Sequence, residues 1–211
     1  SSATGPMATL VSNSDARNWA GQITGNVFYN RTGTATTTTI YAPQTYTGGT
    51  LINGGTVSLR DYASLANTPQ IDINYASLTL DNTQAAFIGD RLRDATPINL
   101  RGGTLTLLGR AQTDVTESVG AISVIEGVNV VDVQAGGTGI NSAVLTAASL
   151  TRPAGSAGVV ILGRGSSTID QNGQIGSTPR MIVTAAPTLT NNIIGPWAII
   201  RRDWASNIPT L

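Results

Sequence analysis

The chain has 211 residues, enough for one large domain or two small ones, and its twelve arginines balance twelve acids without a lysine or a histidine. That balance leaves no basic footprint for nucleic acid or anionic lipid, and the missing lysine excludes Schiff-base and lysine–asparagine cross-linking chemistry. With no cysteine or histidine, disulfides and thiolate nucleophiles are excluded, the commonest general base and zinc ligand are missing, and neither cofactor nor metal is expected.

Hydrophobic residues make up 40 % of the chain but aromatics only 5 %, so its core is expected to be aliphatic. Charged residues are 11 %, against roughly 25 % in an ordinary soluble domain. Threonine, glycine, serine and asparagine take their place, and those residues favour strands and corners. Such a composition fits an exported bacterial surface protein. The chain starts at Ser1 and shows no charged leader followed by an apolar run, which reads as a processed product or an excised part of a longer protein. No segment approaches the roughly 18 apolar residues of a membrane helix.

In chain order, residues 1–22 read as a lead-in or N-terminal cap, with one helical turn over Ser14–Trp19 and Trp19 as a lid. Residues 23–211 read as a single domain. Ile23 to Tyr41 is strand-like. The run Thr36-Thr37-Thr38-Thr39 is β-branched and predicts a strand face on which threonines from successive turns stack and cover the sheet. The stretch from Tyr46 to Leu59 follows. In it Thr50-Leu51-Ile52 and Thr56-Val57-Ser58-Leu59 form two short strands joined by the corner Asn53-Gly54-Gly55. The phrase returns at Pro97–Leu107, and a looser copy lies at Ile71–Leu80. The pairs Ile71/Ile73, Leu78/Leu80, Ile98/Leu100 and Leu105/Leu107 each put two aliphatic side chains on one face. Residues 60–67 form a wide corner or a short helical turn. Strands are predicted at Ala121–Ile125, Val128–Val133, Ala143–Leu150, Val159–Leu162, Met181–Thr184 and Ile193–Ile200, with Gln134–Asn141 and Ser166–Pro179 as loops.

Strands this short cannot stand alone. A repeat every 20–27 residues or so is the period of a solenoid, in which each turn buries the next. The predicted class is therefore all-β, a parallel β-helix of about eight or nine rungs on the order of 40 Å long, with short capping segments. An antiparallel sandwich is the rival.

Tyr46–Leu59, with its Gly-Gly-Thr strand followed by an Asn-Gly-Gly-Thr strand, resembles the autotransporter-associated β-strand repeat family. Glu117–Ile122, Leu145–Arg152 and Ala185–Leu189 are similar to segments that follow such repeats in very large bacterial surface proteins. The resemblance covers roughly residues 46–190. It implies a right-handed coil, export and display at a bacterial surface, and it carries no catalytic residues. The chain departs from a full autotransporter in showing neither a signal peptide nor a C-terminal membrane barrel.

Several groups invite chemistry. Asp90, Arg91, Arg93 and Asp94 form the densest charge cluster; they read as a solvated corner or as an acid–arginine site for a charged polysaccharide. Asp114 and Glu117 are a candidate carboxylate pair for glycoside hydrolysis. Gly136-Gly137-Thr138-Gly139 lacks both a P-loop lysine and regularly spaced aspartates, and reads as a corner. Asn30-Arg31-Thr32 fits a glycosylation sequon. Trp197, Arg201, Arg202 and Trp204 could cap the last rung, contact a glycan, or form an interface. The leading expectation is a non-enzymatic structural module at the bacterial cell surface. It would be a stiff rod that stacks in tandem or self-assembles into filaments or layers. An adhesin-type glycan-binding passenger is the alternative, and a polysaccharide lyase or hydrolase the third reading.

Overall fold

The structure, a computed structural model, describes residues 5–13, 16–33, 36–137, 141–163, 177–189, 193–200 and 203–204. Among them there are strands, turns and corners and no helix. Over the described residues the chain is a parallel β-solenoid of eight rungs. The first holds β1 (Ala8–Asn13), β2 (Arg17–Trp19) and β3 (Thr24–Gly25); the second holds β4 (Val27–Thr32), β5 (Thr37–Ile40) and β6 (Thr45–Tyr46). Then come β7 (Thr50–Asn53) with β8 (Thr56–Arg60), β9 (Ile71–Asn74) with β10 (Ser77–Asp81), and β11 (Ile98–Arg101) with β12 (Thr104–Leu108). The last three rungs are β13 (Asp114–Glu126) with β14 (Val128–Gln134), β15 (Asn141–Thr151) with β16 (Val159–Leu162), and β17 (Ser177–Ala185) with β18 (Ala198–Ile200). A final short strand, β19 (Asp203–Trp204), follows.

Two long sheets result. The first is β1-β4-β7-β9-β11-β13-β15-β17, and the second runs from β2 through β5, β8, β10, β12, β14 and β16 to β18 and β19. All neighbours are parallel except β18 and β19, which pair antiparallel through Ile199 with Trp204 and Ile200 with Asp203. The antiparallel sandwich is therefore excluded. A third side is made by the parallel pair β3–β6 and by bridges from Gln44 to Leu65 and from Leu65 to Leu92.

Stacking is in register, and it explains the aliphatic sequence. On the first sheet Ile52, Ile73, Leu100 and Val124 are consecutive inward partners. On the second, Val57, Leu78, Leu105, Val131 and Leu162 form one inward ladder, and Ile40, Leu59, Leu80, Leu107 and Val133 the next. All are buried. Each aliphatic side chain lies on its copy one strand spacing away, so every rung removes apolar area from its neighbour. Outward, Thr37, Thr56, Ser77 and Thr104 align, as do Thr39, Ser58, Thr79 and Thr106. Of the run Thr36–Thr39, Thr37 and Thr39 join this face, whereas Thr38 points inward and is buried and Thr36 precedes the strand.

Spacing between rungs is larger in the later coil than at its start, with a dip to 24 residues between Ile98 and Ile122. Partners are 19 residues apart at Ala8 and Val27, 21 at Thr50 and Ile71, 27 at Ile71 and Ile98, and 28 at Ile122 and Leu150. The early rungs need a corner between the third side and the first sheet. In β13 and β15 that corner has straightened, so one strand of 13 or 11 residues serves both sides.

Two expectations are corrected. Arg17–Trp19 is not helical: it is β2, held in register over Thr38, Thr39 and Ile40, because a ladder with the next rung outweighs one turn of capped helix. The expected lead-in carries β1 and β2, so regular strands begin at Ala8 rather than Ile23. Ser14 and Asp15 lie outside the described residues, as does 166–176 of the expected loop; Ser177–Pro179 belongs to β17.

Candidate functional sites along the coil

The corner between β10 and β11 is the longest of the early coil, and it carries the charge cluster. It does not lie wholly in solvent. Asp90, Arg93 and Asp94 are exposed, but Arg91 is fully buried, at 0 %. Its guanidinium donates to the carbonyl oxygens of Ala63 (2.7 Å), Asp81 (2.9 Å) and Asp61 (3.1 Å), and to Asn82 Oδ1 (3.0 Å). Burial pulls its basicity down, while Glu117, Asp81 and Asp61 act the other way. Arg91 therefore ties together corners of two rungs. It is turned away from any molecule outside the coil.

Glu117 completes the arrangement. It is 1 % exposed. Its two carboxylate oxygens accept the backbone N–H groups of Arg91 (3.0 Å) and Leu92 (2.8 Å) from the rung before. In the preceding rung Leu65 N–H donates to the carbonyl of Arg91, so the Glu117 side chain continues a backbone ladder where β13 has straightened. Burial pushes its carboxyl up to about 7, against the two backbone donors, which stabilise the charged form; Asp90 raises it further and Arg91 lowers it.

The proposed Asp114–Glu117 pair does not converge. Both residues lie on strand β13 and not in a polar loop, and the strand alternates. Asp114 faces solvent, where it accepts from Ser142 Oγ, while Glu117 faces the interior. An odd spacing on a strand places two side chains on opposite faces. Burial raises the Asp90 carboxyl, with Asp94 adding to the shift.

At the C-terminal end Trp197 is half-buried and packs on the core, and its carbonyl accepts Val160 N–H. The backbone of Trp204 pairs with Ile199, placing it at the end of the second sheet. Arg201 and Arg202 lie outside the described residues, and the structure does not describe the Trp204 side chain. Gly136 and Gly137 form a corner with positive φ; Thr138 and Gly139 lie outside the described residues. Asn30 of the sequon is mid-strand in β4, with Oδ1 buried.

Sequence reading missed Tyr75. It occupies a corner position where the other rungs place Gly54, Gly102 and Gly127, and like them it has positive φ, at 47°. Its ring lies over Gly102, where an added Cβ would come within 2.7 Å of it. Its hydroxyl donates to Glu126 Oε1 at 2.9 Å, and the residue is 68 % exposed. The only available signal was a tyrosine where the repeat calls for glycine.

Among the described residues no cluster of three or more Asp, Glu, His or Cys is placed to hold a metal, and no helix is long and apolar enough to cross a membrane. The chain matches no family model, no curated protein and no solved structure.

Proposed function

We propose that this chain is a structural module of a secreted or surface-exposed bacterial protein, a stiff β-rod that stacks end to end. One observation carries the reading. Parallel ladders run through all eight rungs, and the first sheet ends in strands, β1 and β17, that have a neighbour on only one side among the described residues. An unpaired strand edge is a template for another strand. The faces suit close packing as well, since they are threonine-rich and carry little charge. The family resemblance adds export and surface display to the proposal. The test is sedimentation velocity over a concentration series, with Val11→Lys on the exposed edge strand as control. Growth of the sedimentation coefficient with concentration that the lysine suppresses supports stacking; a single slow species throughout refutes it.

Tyr75 favours a second reading, a glycan-binding passenger. Its exposed ring, fixed over a glycine corner and hydrogen-bonded to Glu126, is a surface on which a sugar ring could stack. Oligosaccharide titration that quenches tyrosine fluorescence in the chain but not in Tyr75→Ala would support it.

A further inference from the structure

The interior of the first two rungs breaks the aliphatic pattern. Ser12 and Arg31 stand on the ladder that continues as Ile52, Ile73 and Leu100, and Tyr29 stands beside them. Thr38 faces them from the second sheet, between Arg17 of the first rung and the ladder of Val57 and Leu78. Arg31 is 0 % exposed; Tyr29, Thr38 and Ser12 are buried as well. Arg31 Nη2 donates to the carbonyl and hydroxyl of Thr36, at 3.2 and 2.8 Å. Its Nε and Nη1 have no partner, nor do the hydroxyls of Tyr29 and Thr38. The Tyr29 hydroxyl lies close enough to Ser12, Thr38 and Arg31 to be influenced by all three, yet meets neither Ser12 nor Thr38 in hydrogen-bond geometry.

A buried cation without a counter-charge is costly, and buried donors without acceptors add to the cost. Among the described residues no carboxylate bonds or pairs with Arg31. The contrast with Arg91 is direct, since that guanidinium has four acceptors within hydrogen-bond distance. The groups around Arg31 are chemically uniform. Two guanidinium N–H groups and the phenol and threonine hydroxyls can all donate at once, and Ser12 supplies another hydroxyl.

We propose that the polar cluster of Arg31, Tyr29, Thr38 and Ser12 is a buried binding site for a small monovalent anion of halide type. The anion neutralises the guanidinium and accepts from the hydroxyls. It is a structural ligand that fixes the N-terminal rungs of the coil, independent of how the rod assembles.

The probe is bromide. Crystals grown in sodium bromide should show an anomalous peak within hydrogen-bond distance of Arg31 Nε or Nη1 and the Tyr29 hydroxyl. In solution the melting temperature should stand several degrees higher in sodium chloride or bromide than in sodium gluconate at equal ionic strength, because gluconate is too large to enter. Arg31→Met should abolish the difference. Tyr29→Phe, the milder change, should reduce it and remain informative if Arg31→Met does not fold. The proposal is overturned if the wild-type melting temperature is the same in all three salts. It is equally overturned if the crystal shows no peak, with water or the carboxylate of Asp15 against Arg31.

Discussion

Single residues inside the coil substitute for missing backbone partners. Asn129 is buried; its Oδ1 accepts Gly103 N–H, and its Nδ2 donates to the carbonyls of Glu126, Gly127 and Val159. It closes the corner where three rungs meet. Asn129→Asp keeps the acceptor and loses every donor, so urea unfolding should show a loss of about 3 kcal/mol or more. Glu117 serves the third side in the same manner, but it titrates. Its folded-state value of about 7 lies above the ordinary 4.5, so the folded state holds the proton more tightly than the unfolded chain. The stability this contributes is full below about pH 4.5 and is lost as pH rises through about 7, a swing on the order of 3 kcal/mol. Unfolding free energies measured across that window should fall with rising pH, and Glu117→Gln should flatten the slope. A slope unchanged in the glutamine variant would remove Glu117 as its source.

At the scale of the element, the two Gly-Gly corners use their glycines differently. At Gly54-Gly55 both take positive φ, 102° and 67°, and Gly54 also lies against the backbone of Gly33. At Gly102-Gly103 the first takes positive φ, 60°, and the second lies against the rung before it: an added Cβ on Gly103 would sit 2.6 Å from the carbonyl oxygen of Ile73. That neighbour is backbone and cannot move without breaking the ladder. Gly103→Ala should therefore cost about 2–4 kcal/mol. Gly21→Ala, where nothing lies within 4 Å, should change stability by less than about 0.5 kcal/mol. Equal effects in thermal melts would contradict the stacking geometry. These corners and the paired aliphatics were legible in the sequence, because each depends on residues within one or two positions of one another. The interior arginines were not. Arg91 finds its acceptors 9 to 30 residues away, and no local pattern distinguishes it from Arg93, which stays exposed. Strand β2 was hidden for a related reason: its partners Thr38–Ile40 lie a full rung further on.

For the whole molecule, the parallel coil was legible from its period, but the ends were not. Among the described residues the second sheet starts at an edge strand, β2, but it ends differently at the C-terminal side. The chain doubles back there, and β19 pairs antiparallel with β18. At the C-terminal end parallel addition of a further copy is therefore directed to the first sheet, where β17 is outermost; at the N-terminal end β1 and β2 are the outermost strands of the two sheets among the described residues. The N-terminal rung also exposes Met7 and Val11 and leaves Leu10 and Trp19 partly buried, so stacking would remove apolar area from water. Electron microscopy of the purified chain across a concentration series tests this account most directly. It predicts filaments one coil wide that lengthen with concentration and shorten in Val11→Lys. Discrete short rods at every concentration, identical in the two proteins, would contradict it.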